Sequence, residues 1–136
     1  MCRSQMQSRC PGSIYHGKAM LHGHSLAFNR KGTRRDGAVA SIVQAHEKVH
    51  GIIWELSDNN LKALSAIEDP TAYKPVYVRV VDEDGEEFDA TAFVSTPEPD
   101  PPDPDPDYVD ILLKAAIAEG FPQSYIEQIK KISKIE

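Results

Sequence analysis

The sequence predicts an α+β domain, a small mixed or closed sheet with helices packed outside it. Three observations lead there. Strand-like patterning dominates the chain before residue 96, with one short helical stretch inside it. The period then changes to helical after an acidic, proline-rich tract. The whole is 136 residues, one domain's length, with no internal repeat.

The elements follow in order. Cys2, Met6 and Cys10 recur every fourth residue and so share a face of a short N-terminal helix, which Pro11-Gly12 ends. Residues 17–29 alternate (Ala19, Leu21, Gly23, Ser25 against Met20, His22, His24, Leu26) and read as a long strand bent at Gly23. Residues 30–36 form a loop. Residues 37–44, with Val39, Ile42 and Val43, and residues 49–56 (VHGIIWEL) read as two further strands. Asp58 is placed as an N-cap, with Leu61, Leu64 and Ile67 at helical spacing behind it and Asp69-Pro70 as the stop. Residues 74–82 and 87–95 are a strand pair joined by a turn over 83–86, where Asp84-Gly85 supplies the positive φ angles.

Residues 97–107 hold six prolines and five acids, and are expected as an exposed, extended connector without regular structure. Residues 108–119 form a helix with Ile111, Leu112, Ala115 and Ala116 on one side, stopped by Gly120. A last helix covers 122–132, with Tyr125, Ile126, Ile129 and Ile132 in register.

Composition excludes several function classes. Hydrophobic residues are 40% and charged residues 26%, and no apolar run approaches the roughly 20 residues of a membrane span. Two cysteines are too few for a disulfide scaffold, and residues 1–15 lack the apolar stretch of a secretory signal, so a reducing cytoplasm is the expected setting. The net charge is −6, but five acids sit in the proline tract without a base, leaving the rest nearly neutral. The basic stretch Asn29-Arg30-Lys31-Gly32-Thr33-Arg34-Arg35 reads as a solvated loop, and no nucleic-acid partner is expected.

Motif scanning returns His46-Glu47-Lys48-Val49-His50, the H-E-x-x-H pattern of zinc peptidases. That chemistry needs a helix, so that both imidazoles face one metal. The flanking β-branched residues and Gly51 argue against one, and the pair is expected at the tip of a hairpin. His22 and His24 would share a face of a strand, with no third ligand near in sequence, and no metal site is expected. Glu68 ends an amphipathic helix beside its apolar stripe. A carboxylate partly desolvated there has a raised pKa and suits general acid–base work, while the plain alternative is a solvated helix-end Glu.

The ordered blocks taken together resemble the γ-glutamylcyclotransferase family, also called the AIG2-like or BtrG-like group. They are Arg9-Cys10-Pro11-Gly12, residues 17–28, Gly37-Ala38-Val39-Ala40-Ser41-Ile42, Val49-His50-Gly51-Ile52-Ile53-Trp54, residues 61–68, Tyr73-Lys74-Pro75-Val76-Tyr77-Val78, and Glu119-Gly120-Phe121-Pro122 with Tyr125. The resemblance implies a small mixed β-barrel flanked by helices. It implies an enzyme that converts a γ-glutamyl amino acid or amine into 5-oxoproline and the free amine, without metal or cofactor. On the family pattern Glu68 is the acid–base carboxylate, and Tyr73 and Tyr108 are aromatic positions of the substrate pocket.

Two departures from the pattern stand out. Asp69-Pro70 follows Glu68 where the family has Gly. The family also opens with a strand ending in Tyr-Gly-Ser-Asn, and Met1 aligns with the residue after that Asn. The expectation is therefore a barrel short of its first strand, an open apolar groove through which copies of the chain would self-associate, and weak or absent activity. The other reading in view is a non-catalytic binding or structural member of the same fold.

Overall fold

The computed structural model describes residue 6 and residues 9–32, 37–67 and 73–133, with side chains undescribed at 65–67. The class is the expected α+β. The elements are β1 (Ile14–Lys31), β2 (Ala38–Glu55), α1 (Asp58–Ile67), β3 (Tyr73–Asp82), β4 (Glu87–Ser95), α2 (Pro106–Ala118) and α3 (Gln123–Ile132). The described strands form one antiparallel sheet in the order β2-β1-β3-β4.

β1 and β2 are a single long ribbon, paired from Ile14↔Glu55 to Lys31↔Ala38. Register shifts between Tyr15 and Gly17, His22 and His24, and Phe28 and Arg30 add bends. The expected bend at Gly23 is the middle one: its φ of 74° is a left-handed conformation that a side chain would resist. Two expected strands, 37–44 and 49–56, are one continuous β2. His46 and His50 therefore lie within a strand, neither at a hairpin tip nor on a helix, with Lys48 opposite His22 and His50 opposite Met20.

β1 reaches β3 only at Ala19↔Asp82 and Met20↔Val81. The β3–β4 hairpin matches its sequence signal, with Gly85 at φ 83° and the Asp82 carboxylate accepting the Asp84 and Glu86 N–H groups at 2.9 Å. The end of β4 meets the start of β2 through side chains: the Ser95 N–H donates to Ser41 Oγ at 3.0 Å, and Ser95 Oγ donates to Asn29 Oδ1 at 2.6 Å. Ser41 and Ser95 are both buried.

Three apolar clusters hold the layers together. Ala19, Leu21 and Val80 pack inside the sheet. Met6, Cys10 and Leu64 pack under Trp54 and Phe93. Ala116, Tyr125, Ile126 and Ile129 fasten α2 and α3 onto Leu26 and Val49. Ile126 and Ile129 fall on one face of α3, and burying such a side chain contributes about 1.5–3 kcal/mol. At α1 the cap is Ser57, one residue before the expected Asp58: its hydroxyl accepts the Asn60 N–H at 3.1 Å.

The proline tract is not a free connector. Arg30 donates to the Thr96 carbonyl at 3.1 Å. The Glu98 N–H donates to the Asn29 carbonyl, and the Lys31 N–H donates to the Glu98 carboxylate, both at 2.9 Å. Further on, the Ala38 N–H donates to the Asp103 carbonyl at 3.2 Å, and Ala38 bridges Pro104 in parallel. The prolines of the tract lack donors but keep their carbonyls, and donors come from Arg30 and Lys31 at the end of β1 and from Ala38 at the start of β2. Gly37 permits the approach: a Cβ there would lie 2.2 Å from the Asp105 nitrogen and 2.7 Å from the Asp103 oxygen. α2 also starts two residues earlier than expected, because Pro106 suits a first helical turn and the Asp105 carboxylate caps the Asp107 N–H at 3.1 Å.

Candidate active site

α2 lies beside the outer edge of β2 and is pinned at its start. The Ala40 N–H donates to the Tyr108 hydroxyl at 3.0 Å, and the Tyr108 ring packs edge-on against Phe28. Its far end is stopped by a double carbonyl capture. The Phe121 N–H reaches the Ala116 carbonyl and the Gly120 N–H reaches the Ile117 carbonyl, with Gly120 at φ 72°. α3 then turns back, and Tyr125 hydrogen-bonds the His50 backbone on the same edge of β2.

A cavity of about 670 Å³ opens between α2, α3 and residues 50–54 of β2. Its lining runs from Tyr108 to Glu119, about 16 Å along the helix axis at 1.5 Å per residue. Trp54, Ile52, Leu112 and Ala116 make it largely apolar. Trp54 meets Tyr15 edge to face at 5.6 Å, and the Tyr15 hydroxyl donates to Glu119 Oε2 at 2.9 Å.

His50 is wedged against Tyr125 and Phe121, with ring centroids 4.7 and 5.8 Å away. Partial burial pushes its pKa below the usual 6.5, and the positive charges of Lys48, His22 and Lys18 push the same way. Burial pushes the Tyr125 phenol up to about 12. Both rings are therefore neutral near pH 7.

Of the three residues singled out in the sequence, Tyr108 lines this cavity. Tyr73 is half-buried at the start of β3, opposite Ser95, and is not among the lining residues. The two are linked through a short relay: Tyr73 pairs with Ser95, Ser95 binds Ser41, and the next residue, Ala40, binds Tyr108. Glu68 lies outside the described residues. Leu64, four positions before it in sequence, is buried with Met6 beside Trp54, and both Met6 and Trp54 line the cavity.

Sequence reasoning did not single out Tyr15, His50 or Glu119 as cavity residues. His50 carried a signal, but as half of a metal motif. Among the described residues no group of three metal-ligating side chains exists, and His24 Nδ1 is within 3.0 Å of the His22 carbonyl oxygen. No helix among them is long and apolar enough to cross a membrane.

Comparison with known proteins follows the same outline. The model of the AIG2-like family matches residues 48–129. The Gamma-glutamylcyclotransferase of Mus musculus is 26% identical over 91% of this chain and 69% of its own length. That of Homo sapiens is 28% identical over the same shares. Among solved structures, a gamma-glutamyl cyclotransferase superposes with a TM-score of 0.86 at 24% identity, covering 95% of this chain and 80% of its own. YkqA from Bacillus subtilis superposes with a TM-score of 0.79 at 19% identity, over 97% of this chain and 48% of its own. At these identities the structural likeness speaks for the fold.

Proposed function

This chain belongs to the AIG2-like, γ-glutamylcyclotransferase family, and from that premise we propose that it is a cytoplasmic enzyme releasing 5-oxoproline from a γ-glutamyl amino acid or amine. The observation that carries the reading is the likeness to named gamma-glutamylcyclotransferases over 91% of the chain.

The reaction is an internal acyl transfer. The α-amine of the glutamyl group attacks its own γ-carbonyl, forming the C–N bond of a five-membered lactam. The bond from that carbonyl to the departing amine then breaks. The attacking ammonium must lose a proton and the leaving nitrogen must gain one. A single carboxylate serves both steps in turn, and Glu68 is the residue assigned to it. Holding the glutamyl chain folded supplies most of the remaining rate. Tyr73 and Tyr108 are assigned to bind the substrate by hydrogen bonds and ring contacts.

The test is mass-spectrometric detection of 5-oxoproline from a panel of γ-glutamyl amino acids and γ-glutamyl amines. Enzyme-dependent 5-oxoproline from any member supports the reading. If no compound is turned over but one binds, the chain is a non-catalytic member of the fold.

A further inference from the structure

We propose that the cavity between α2, α3 and β2 receives the departing half of the γ-glutamyl substrate, and that it selects an amine or amino acid with a large apolar side chain, an aromatic one above all. This rests on the cyclotransferase reading and names the substrate class within it.

Two periodicities build the cavity. Strand alternation puts His50, Ile52 and Trp54 on one face of β2. Helical spacing puts Tyr108, Leu112, Ala115 and Ala116 on the facing side of α2. The two alanines project little, which leaves room between the strand and the middle of the helix. Tyr108 ties this space to the reaction, because it is assigned to the substrate and lines the cavity.

The walls define what fits. Ile52, Trp54, Leu112 and Ile129 present hydrocarbon and ring surface. His50, Phe121 and Tyr125 add a cluster of rings on the same cavity, with Tyr125 edge-on to His50 at 4.7 Å and to Phe121 at 5.9 Å. An apolar guest is stabilised there in proportion to the area it removes from water, and a ring adds edge-to-face contacts. A polar side chain of the same size would give up its hydration against these walls. The Glu119 carboxylate is already engaged by the Tyr15 hydroxyl at 2.9 Å, and the selection does not draw on it. The volume, about 670 Å³, is that of a small-molecule site and far exceeds what a methyl side chain fills.

The experiment compares γ-glutamylphenylalanine, γ-glutamylalanine and γ-glutamylglutamine, which share their carboxylates and differ in one side chain. Mass-spectrometric 5-oxoproline gives kcat/KM for each. The phenylalanine compound is expected to lead the other two by about tenfold or more. Ala115→Phe, which fills the cavity, should erase that lead. Ile52→Thr, which keeps the β-branched shape and adds a hydroxyl, should narrow it. Equal kcat/KM for the three compounds, or a lead that survives both variants in folded protein, overturns the inference and leaves the cyclotransferase reading standing. No 5-oxoproline from any compound overturns that reading instead. Equilibrium binding, followed by the fluorescence of Trp54, the single tryptophan, then decides the cavity's selectivity. Tighter binding of γ-glutamylphenylalanine supports it, and equal or absent binding overturns it.

Discussion

The backbone N–H of Ala40 donates to the hydroxyl of Tyr108 at 3.0 Å, so a side chain at the start of α2 occupies an edge position that a neighbouring strand would otherwise fill. Removing that oxygen leaves a main-chain donor without its partner. Tyr108→Phe should cost about 1–2 kcal/mol of stability, measured by urea unfolding. It should also speed hydrogen exchange at Ala40 selectively. Unchanged exchange there would show the bond to be dispensable.

The proline tract passes Gly37 so closely that no side chain fits there. A methyl group at this position meets backbone atoms of residues 103–105, which cannot move aside as a side-chain tip would. Gly37→Ala should lower stability by about 1–3 kcal/mol and expose the tract to limited proteolysis. A full-strength thermal transition with no new cleavage would contradict the packing.

The lowered pKa of His50 makes a prediction about acid. The native state holds this imidazole neutral to a lower pH than the unfolded chain, whose value is near 6.5. Between the two pKa values the unfolded state binds more protons, so stability falls as pH drops from above 6.5 through the folded pKa. Lys18 and His22 on β1 and Lys48 on β2 add to the penalty on charging. His50→Phe keeps a ring against Tyr125 and removes the proton site. Unfolding curves at pH 7.5 and pH 5 should show a smaller acid loss for this variant than for wild type.

If the chain is a cyclotransferase, Glu68→Gln should reduce 5-oxoproline formation by about 10²-fold or more while the melting transition stays in place. The amide preserves shape but relays no proton. Near-native turnover in that variant would remove Glu68 from the mechanism.

Local rules made much of the fold legible. The β3–β4 hairpin follows from alternation ending at Asp84-Gly85, and the stop of α2 follows from Gly120. The continuity of β2 was hidden because His46, Glu47 and Lys48 interrupt the alternation and look like a turn. They are exposed, and so are His22 and Gly23 at the same level of β1, so the ribbon is polar there on both strands. The cavity was less legible still. Glu119 reads as an ordinary helix-end acid, and its partner Tyr15 is 104 positions away. The packing of the proline tract depends on a missing Cβ at Gly37, which leaves no trace in composition or period.

The separation of these contacts along the chain sets an order of assembly. Both hairpins join neighbouring segments and close short loops, which costs little entropy. Ser95 to Ser41 spans 54 residues, and Tyr108 to Ala40 spans 68. Contacts of that range are slow to form, and they become favourable only once the hairpins exist to receive them. On this ordering the two ribbons form first, and the contacts of longest range, such as Tyr15 to Glu119 across 104 positions, close late. That places a late step of folding at the wall of the cavity.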